Sequence, residues 1–271
     1  MRSLETAVAA LEQGEDSVGY ATGSAAIAAV LGTVGPGEHV LIPDDVYQGT
    51  ARLLRLSLAR WGVTSSAVDM TDLPAISAAL RPSTRLIWVE TLSNPLLKVT
   101  DLSAVAEIAH AHGALCAVDN TFVTPVFQRP LSCGVDYVVH AATKYLSGHA
   151  DAMGGVVVAS VDRLDEFRSL QWVEGAVPGP FECWLIRRGL KTLPLRMRGH
   201  AAGAVRVAEY LQTHPAVLAV LYPGLDSHPQ HRLARKILDG FGGIVSFRVR
   251  GGRAVATVLA ENLVHAGQAP V

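Results

Sequence analysis

Cysteine and long apolar runs are scarce in this chain of 271 residues. The three cysteines are too few and too scattered for a disulfide framework, and no two form a Cys-x-x-Cys zinc pair. No apolar run approaches the roughly 18–20 residues of a membrane span, and the N-terminus lacks the basic and then apolar pattern of a secretory signal. A formal net charge of −1 leaves no basic excess for nucleic acid or an anionic membrane. We therefore expect a soluble, cytoplasmic protein without nucleic-acid or membrane partners.

Lysine is also scarce, which narrows the search for amine chemistry. Nineteen of the 23 basic side chains are arginine, and the lysines are Lys98, Lys144, Lys191 and Lys236. Of these, we interpret Lys191 as a structural residue and not a catalytic one.

The other isolated residues are also interpreted as structural. We expect Cys133 and Cys183 in the core. We interpret four histidines as polar helix-end or solvated turn residues rather than metal ligands: His110, His112, His228 and His231.

Short apolar segments alternate with segments of helical period up to about residue 160. The predicted strands are 17–21, 39–43, 63–68, 85–90, 115–119, 137–140 and 155–160. The predicted helices are 25–34, 47–61, 73–80 and 102–112, the last begun by Asp101 and ended by Gly113. Strands joined by helices of this length predict an α/β domain whose mostly parallel sheet is covered on both faces.

The pattern changes after about residue 160, where arginine-rich helical stretches begin. We predict helices at 163–170 and 181–211, followed by a segment at 216–223, a turn region rich in His and Pro at 224–231 and a strand at 243–249. These elements indicate a second, smaller α+β domain. We place the large domain at residues 1–190 and the second domain at 191–271.

Polar residues that follow the predicted strands are candidates for function, since ligands of open parallel sheets bind at the carboxyl ends of the strands. A small-residue turn with Gly23 and Ser24 opens a helix, where free N–H groups would suit a phosphate. Taken alone, this turn is better explained by close helix packing, and Asn94 by a plain Asn-Pro turn.

Two ionisable residues follow later strands. Asp119 ends an apolar strand, where an acid is costly unless a cation or several donors meet it. Lys144 lies between an apolar strand and a glycine-rich loop, where partial burial would lower its pKa and make it a nucleophile toward an aldehyde. A lysine whose head group escapes to water explains the position equally well.

Together these strand ends match the needs of one cofactor, pyridoxal 5'-phosphate (PLP). Its aldehyde needs a lysine, its ring nitrogen needs an acid that keeps it protonated, and its phosphate needs N–H donors. Lys144, Asp119 and the turn at residues 22–26 supply these groups, and Asn94 adds a donor for the ring oxygen. Tyr47, just past the strand at 39–43, is placed to stack on the ring. The sequence therefore predicts a PLP site.

Longer motifs resemble the Cys/Met-metabolism family of PLP enzymes, which comprises cystathionine γ-synthases, γ-lyases and β-lyases and methionine γ-lyases. The resemblance runs from about residue 4 to 259. It is carried by Val118-Asp119-Asn120-Thr121-Phe122, Ala142-Thr143-Lys144-Tyr145, Gly148-His149-Ala150-Asp151, Arg188-Gly189-Leu190-Lys191-Thr192-Leu193, Tyr222-Pro223-Gly224-Leu225 and Gly240-Phe241-Gly242-Gly243. It implies a fold-type-I, aspartate-aminotransferase-like large domain, a small-molecule sulfur amino-acid substrate and a homo-oligomer built as a dimer of dimers.

The resemblance also implies a role for each candidate residue. Lys144 would form the Schiff base with the cofactor and shuttle protons. Asp119 would pair with the pyridinium nitrogen, and Asn94 would bond the ring hydroxyl. Tyr47 would stack on the ring and help take protons from the substrate. The phosphate ligands would be the backbone amides of Gly23 and Ser24 and the hydroxyl of Thr143.

Departures from the family pattern leave the reaction open. Ala141 stands where the family has a phosphate-binding serine, and the family's N-terminal Tyr-x-Arg and C-terminal substrate-binding arginine are not in this sequence. We favour γ-elimination at the Cγ–S bond of cystathionine or a related sulfur amino acid. Two alternatives stay open. One is γ-replacement of the cystathionine γ-synthase or O-acylhomoserine sulfhydrylase type. The other is a truncated, catalytically impaired family member that lacks the N-terminal arm and part of the second domain.

Overall fold

Seven strands form one mostly parallel sheet in the computed structural model, which describes residues 1–263. The strands are β1 (Asp16–Tyr20), β2 (His39–Pro43), β3 (Thr64–Val68), β4 (Thr84–Glu90), β5 (Leu115–Asp119), β6 (Tyr137–Ala141) and β7 (Gly155–Ala159). Their order across the sheet is β1-β7-β6-β5-β4-β2-β3. β7 runs antiparallel to both of its neighbours, and the other pairs are parallel. Every strand of this sheet except β7 therefore ends at the same edge.

Helices cover the sheet on both faces. They are α1 (Arg2–Glu12), α2 (Gly23–Leu31), α3 (Gln48–Leu56), α4 (Leu73–Ala79), α5 (Leu102–Ala111), α6 (Thr124–Phe127), α7 (Val161–Glu174) and α8 (Pro180–Leu190). The core is split accordingly: Val118 of β5 belongs to the cluster under α1 and α5, whereas Ala117 belongs to the cluster under α2 and α7. Because both faces are covered, β7 is buried along its whole length and its sequence is almost entirely apolar. The predicted α/β class is confirmed.

A separate two-stranded sheet lies in the C-terminal part of the chain. The elements of this part of the chain are α9 (Leu193–Thr213), β8 (Val217–Leu221), α10 (His231–Ile237), β9 (Ser246–Val249) and α11 (Gly252–Glu261). β8 and β9 pair antiparallel, and a small apolar cluster centred on Tyr222 packs beside them. The boundary predicted at residue 191 falls between α8 and α9, and the division into domains stays a prediction. Residues 264–271 of the predicted second domain lie outside the described residues.

The predicted strands of the seven-stranded sheet agree with the observed ones to within about one residue at each end. The cap of α5 is confirmed, since the Asp101 side chain accepts a hydrogen bond from the Ala104 N–H at 3.2 Å, and Gly113 follows with φ +79°. The helix predicted at 47–61 is instead α3 followed by a short 3-10 helix, Leu58–Trp61, and the backbone between them departs from helical φ at Ser57, where φ is −111°. The helix predicted at 181–211 is broken between α8 and α9, where Pro194 favours a new helix start. Helix α1 has no counterpart among the predicted elements.

The isolated cysteines and histidines follow their predictions with two exceptions. Cys183 is buried, and Cys133 is half-buried against the core. His228, expected in solvent, is only 5% exposed, and burial lowers its pKa. His231, expected in the same solvated turn, begins α10, and its side chain is only 12% exposed. Within residues 1–263, no group of three His, Cys, Asp or Glu side chains is arranged to hold a metal ion. None of the helices in that range has both the length and the apolar character needed to cross a membrane.

Candidate active site

A cavity of about 520 Å³ opens at the edge where the parallel strands end. This volume is in the ordinary range for small-molecule sites, about 300–1,000 Å³. A second, larger cavity adjoins it and shares four lining residues with it, Phe122, Thr143, Lys144 and Met153. The first cavity is lined by every residue that the sequence predicted for the cofactor: Gly23, Ser24, Tyr47, Asn94, Asp119, Thr143 and Lys144.

The turn between β1 and α2 has the features of an anion site. Thr22 caps α2, and its Oγ1 accepts a hydrogen bond from the Ala25 N–H at 3.0 Å. The first N–H groups of the helix lack intrahelical acceptors, so those of Gly23 and Ser24 suit an anion. Close packing, the other interpretation, also holds, since a Cβ on Gly23 would lie 2.8 Å from the Cβ of Ala141. The turn can therefore serve both purposes.

Asp119 supplies a half-buried carboxyl group at the end of β5. Its Oδ1 accepts a hydrogen bond from the Thr121 N–H at 2.9 Å. Burial raises the pKa of Asp119, while the hydrogen bonds from Thr121 and the nearby His140 oppose that rise. No lysine or arginine of the described chain contributes to this balance. A cationic ligand would supply the missing positive charge.

Glu90 is a site residue that the sequence analysis did not single out. It ends β4, lies in register with Asp119 on β5 and lines the same cavity. Burial, and to a lesser extent repulsion from Asp119, raises the pKa of Glu90 to about 8. The signal that singled out Asp119, an acid at the end of an apolar strand, would also have found Glu90.

Glu90 ties together the loops that carry two predicted ring contacts. Its Oε1 accepts a hydrogen bond from the Tyr47 N–H at 2.7 Å, in the loop after β2. The backbone N–H of Asn94, in the loop after β4, also stabilises its ionised form. Both Tyr47 and Asn94 are half-buried at the cavity wall. One buried carboxyl group thus sets the spacing of two loops that face the cavity.

Lys144 lies in the turn after β6, with its backbone N–H bonded to Ala141 O at 3.0 Å. Of the two interpretations of its side chain, the structure agrees with the head group that reaches water, because Lys144 is exposed where the two cavities meet. Of the four lysines, all of which lie within residues 1–263, Lys144 alone lines the first cavity. Thr143 beside it is held by the loop before β7, since its Oγ1 accepts a hydrogen bond from the Gly154 N–H at 3.1 Å.

Comparison with known proteins identifies the class to which this site belongs. The model of the Cys/Met metabolism PLP-dependent enzyme family matches residues 1–268. The chain therefore belongs to this PLP-dependent family, as the motifs predicted. The fold agrees, because solved structures of the family share the α/β architecture at high similarity.

Individual relatives carry the names of two transsulfuration activities. The chain is 49% identical to the cystathionine gamma-synthase of Mycobacterium tuberculosis over 94% of its own length and 66% of that protein. It is 46% identical to the cystathionine gamma-lyase of Bacillus subtilis, over 91% of this chain and 65% of that one. The crystal structure of metB from Corynebacterium glutamicum superposes with a TM-score of 0.93 at 40% identity, covering 95% of this chain and 67% of that chain. The chain thus spans about two thirds of the length of these relatives.

The contact between Gly23 and β6 predicts an effect on stability. Gly23→Ala should lower the free energy of unfolding by about 1–3 kcal/mol, because the new methyl group overpacks against Ala141. Gly203→Ala is the matched control: its Cβ on α9 would meet no atom within 4 Å, and alanine should stabilise that helix by about 0.5–1 kcal/mol. Urea unfolding measures both, and equal effects would contradict the close contact.

The raised pKa of Glu90 predicts a pH dependence. Folded Glu90 keeps its proton up to about pH 8, whereas the unfolded side chain loses it near its ordinary value of 4.5. Since the folded state binds more protons in between, the contribution of Glu90 to stability falls as pH rises through this interval. Glu90→Gln should therefore flatten the decline of Tm between about pH 5 and 8 in the cofactor-free protein. Glu107→Gln, on the exposed face of α5, is the control, and identical slopes for Glu90→Gln and wild type would refute the effect.

Proposed function

We propose that this chain acts as a PLP-dependent transsulfuration enzyme, cleaving the Cγ–S bond of cystathionine or a related sulfur amino acid by γ-elimination. The observation that carries the proposal is the meeting of the predicted cofactor residues at one cavity. They come from the loops after β1, β2, β4, β5 and β6. The family of the chain and the names of its relatives support the same chemistry.

The residues present fit PLP on three structural grounds. The first N–H groups of α2, at Gly23 and Ser24, line the cavity where a phosphate would bind. Asp119 is a half-buried carboxyl group whose pKa is affected by no lysine or arginine of the described chain, so a protonated ring nitrogen could pair with it. Lys144 presents a primary amine to the same cavity.

Each residue then receives a role in the proposal. Lys144 would bind the cofactor aldehyde, Asp119 the ring nitrogen and Asn94 the ring hydroxyl, while Tyr47 would stack on the ring. The phosphate would be held by the N–H groups of Gly23 and Ser24 and by the hydroxyl of Thr143.

The protein's own part in the reaction is proton transfer and orientation. When bound, PLP supplies an electron sink for bonds broken at the substrate's α-carbon and beyond. Lys144 Nζ, exposed where the two cavities meet, would move protons at Cα and Cβ of the substrate. Tyr47, held through its backbone by Glu90, would assist in taking protons from the substrate. Asp119 would hold the proton on the ring nitrogen.

A second candidate function is γ-replacement, in which a thiol takes the place of the group expelled from the γ-carbon. The identity of 49% to the mycobacterial cystathionine gamma-synthases favours it, against 46% for the Bacillus lyase. Both reactions use the same residues for the cofactor.

The cytoplasmic location of the protein stays a prediction.

The cofactor site predicts a covalent attachment point. Incubation with PLP should give a visible absorbance band, and borohydride should fix the cofactor on the peptide that contains Lys144. Lys144→Ala should abolish this retention, whereas Lys191→Ala should retain it, because Lys191 is exposed and lies outside the cavity. Peptide mass analysis checks both variants. Attachment elsewhere, or equal retention by Lys144→Ala, would refute the assignment.

The reaction itself is tested with the same variants. We expect wild-type protein to release cysteine from cystathionine, with cystathionine synthesis from an O-acylhomoserine and cysteine as the parallel assay. Loss of Lys144 should remove general acid–base catalysis, worth about 10²–10⁴-fold, as well as the cofactor attachment. Rates that match Lys144→Ala in both assays would leave only the impaired-member interpretation.

We also propose a homo-oligomer, a dimer of dimers as the family resemblance implies. Large apolar side chains are exposed on two helices: Phe181 and Trp184 of α8 are 63% and 56% exposed, and Trp172 of α7 is 68% exposed. Exposed apolar surface of this kind marks interaction sites. Light scattering should give a mass at least twice the 28.7 kDa of one chain. A single-chain mass at micromolar concentration would contradict the proposal.

A further inference from the structure

A buried acid–base pair lies outside the assigned cofactor residues. His140 Nε2 and Glu12 Oε1 are 2.6 Å apart, and both side chains are fully buried. Glu12 is in the last turn of α1, and His140 is in β6, next to Ala141 at the cavity wall. Glu12 Oε2 and His140 Nδ1 have no hydrogen-bond partner in residues 1–263. Such a pair is costly to bury, which calls for an explanation beyond packing.

The pair is joined to Asp119 through the next residue in the chain. Asn120 Nδ2 donates to Glu12 Oε1 at 3.0 Å, and the Asn120 N–H donates to Val139 O at 2.9 Å. Asn120 thereby anchors the end of β5 to the two elements that carry the pair.

A second connection runs from Asp119 to the residue after His140. The Thr121 N–H donates to Asp119 Oδ1 at 2.9 Å, and Thr121 Oγ1 accepts from the Ala141 N–H at 2.8 Å. A shift of His140 would therefore reach the Asp119 carboxylate by both connections, one through Asn120 and one through Thr121.

His140 also acts on the charge of Asp119. The electrostatic interaction with His140 lowers the pKa of Asp119 and so favours its ionised form. Glu90, the other carboxyl group beside Asp119, keeps its proton up to about pH 8 and so adds little negative charge at neutral pH.

We propose that His140, held by Glu12, is a positioning residue for Asp119. The hydrogen bonds that run from this pair and its neighbour Ala141 through Asn120 and Thr121 keep the Asp119 carboxylate oriented, so that Asp119 can hold a protonated cofactor ring nitrogen. This inference rests on the proposed function, because it needs PLP bound at Asp119 and Lys144.

The test follows the ring nitrogen directly. PLP labelled with ¹⁵N in the ring is bound to wild-type protein and to His140→Gln and Glu12→Gln, and its ¹⁵N chemical shift and dissociation constant are measured. His39→Gln is the matched control, because His39 is also fully buried and bonded to two side chains but begins β2 at the opposite end of the strand. Circular dichroism establishes that each variant is folded.

We expect a protonated ring nitrogen in wild type and a shift toward the unprotonated value in both variants of the pair. Their affinity for PLP should fall about tenfold or more, the loss typical of one charge-assisted contact. The control should keep the wild-type shift and an affinity within about twofold.

The outcomes separate this inference from the function on which it rests. If His140→Gln and Glu12→Gln are folded and keep the wild-type ¹⁵N shift and affinity, the inference is wrong and the PLP site stands. Unfolding of both variants would make the pair a purely structural contact and would also overturn it. If wild-type protein retains no PLP on Lys144, the proposed function fails and the inference fails with it.

Discussion

The parallel register of β4, β5 and β6 brings the polar residues at the ends of these strands close together. Glu90 lies beside Asp119 at the ends of β4 and β5, and Asp119 lies beside Val139 in β6. Two carboxyl groups on adjacent buried strands cannot both be ionised without a nearby positive charge. Glu90 responds with a pKa of about 8, and Asp119 is left as the group that needs a cation. The demand for a positively charged ligand therefore follows from the sheet itself.

The rest of the cavity depends on the same strand ends. Glu90 accepts a hydrogen bond from Tyr47 and so fixes the loop after β2, while Thr121 connects Asp119 to the end of β6. The absence of a side chain on Gly23 lets α2 begin directly against that strand. A cofactor with a phosphate at one end and a basic ring nitrogen at the other suits a cavity with N–H groups on one side and a carboxylate on another. The family of the chain is the one that uses this cofactor.

Much of the fold could be predicted because buried parallel strands have nearly continuous apolar sequences. Strands β2 and β5 coincide with their predicted ranges, and the residues after them reached the cavity as expected. Helix α1 was harder, since its buried face includes Glu12, a residue type that usually marks a surface. Contacts between distant parts of the chain, such as Glu12 with His140, depend on how helices pack on the sheet, which local periodicity does not encode. The sequence left the exposure of Lys144 open, because it depends on two cavities formed by separate segments.

A crystal structure of the protein grown with PLP tests the central claim most directly. The account predicts a cofactor joined to Lys144 Nζ, its ring nitrogen within hydrogen-bond distance of the Asp119 carboxylate and its phosphate at the N–H groups of Gly23 and Ser24. A cofactor bound at another lysine, or one whose ring nitrogen faces away from Asp119, would contradict it.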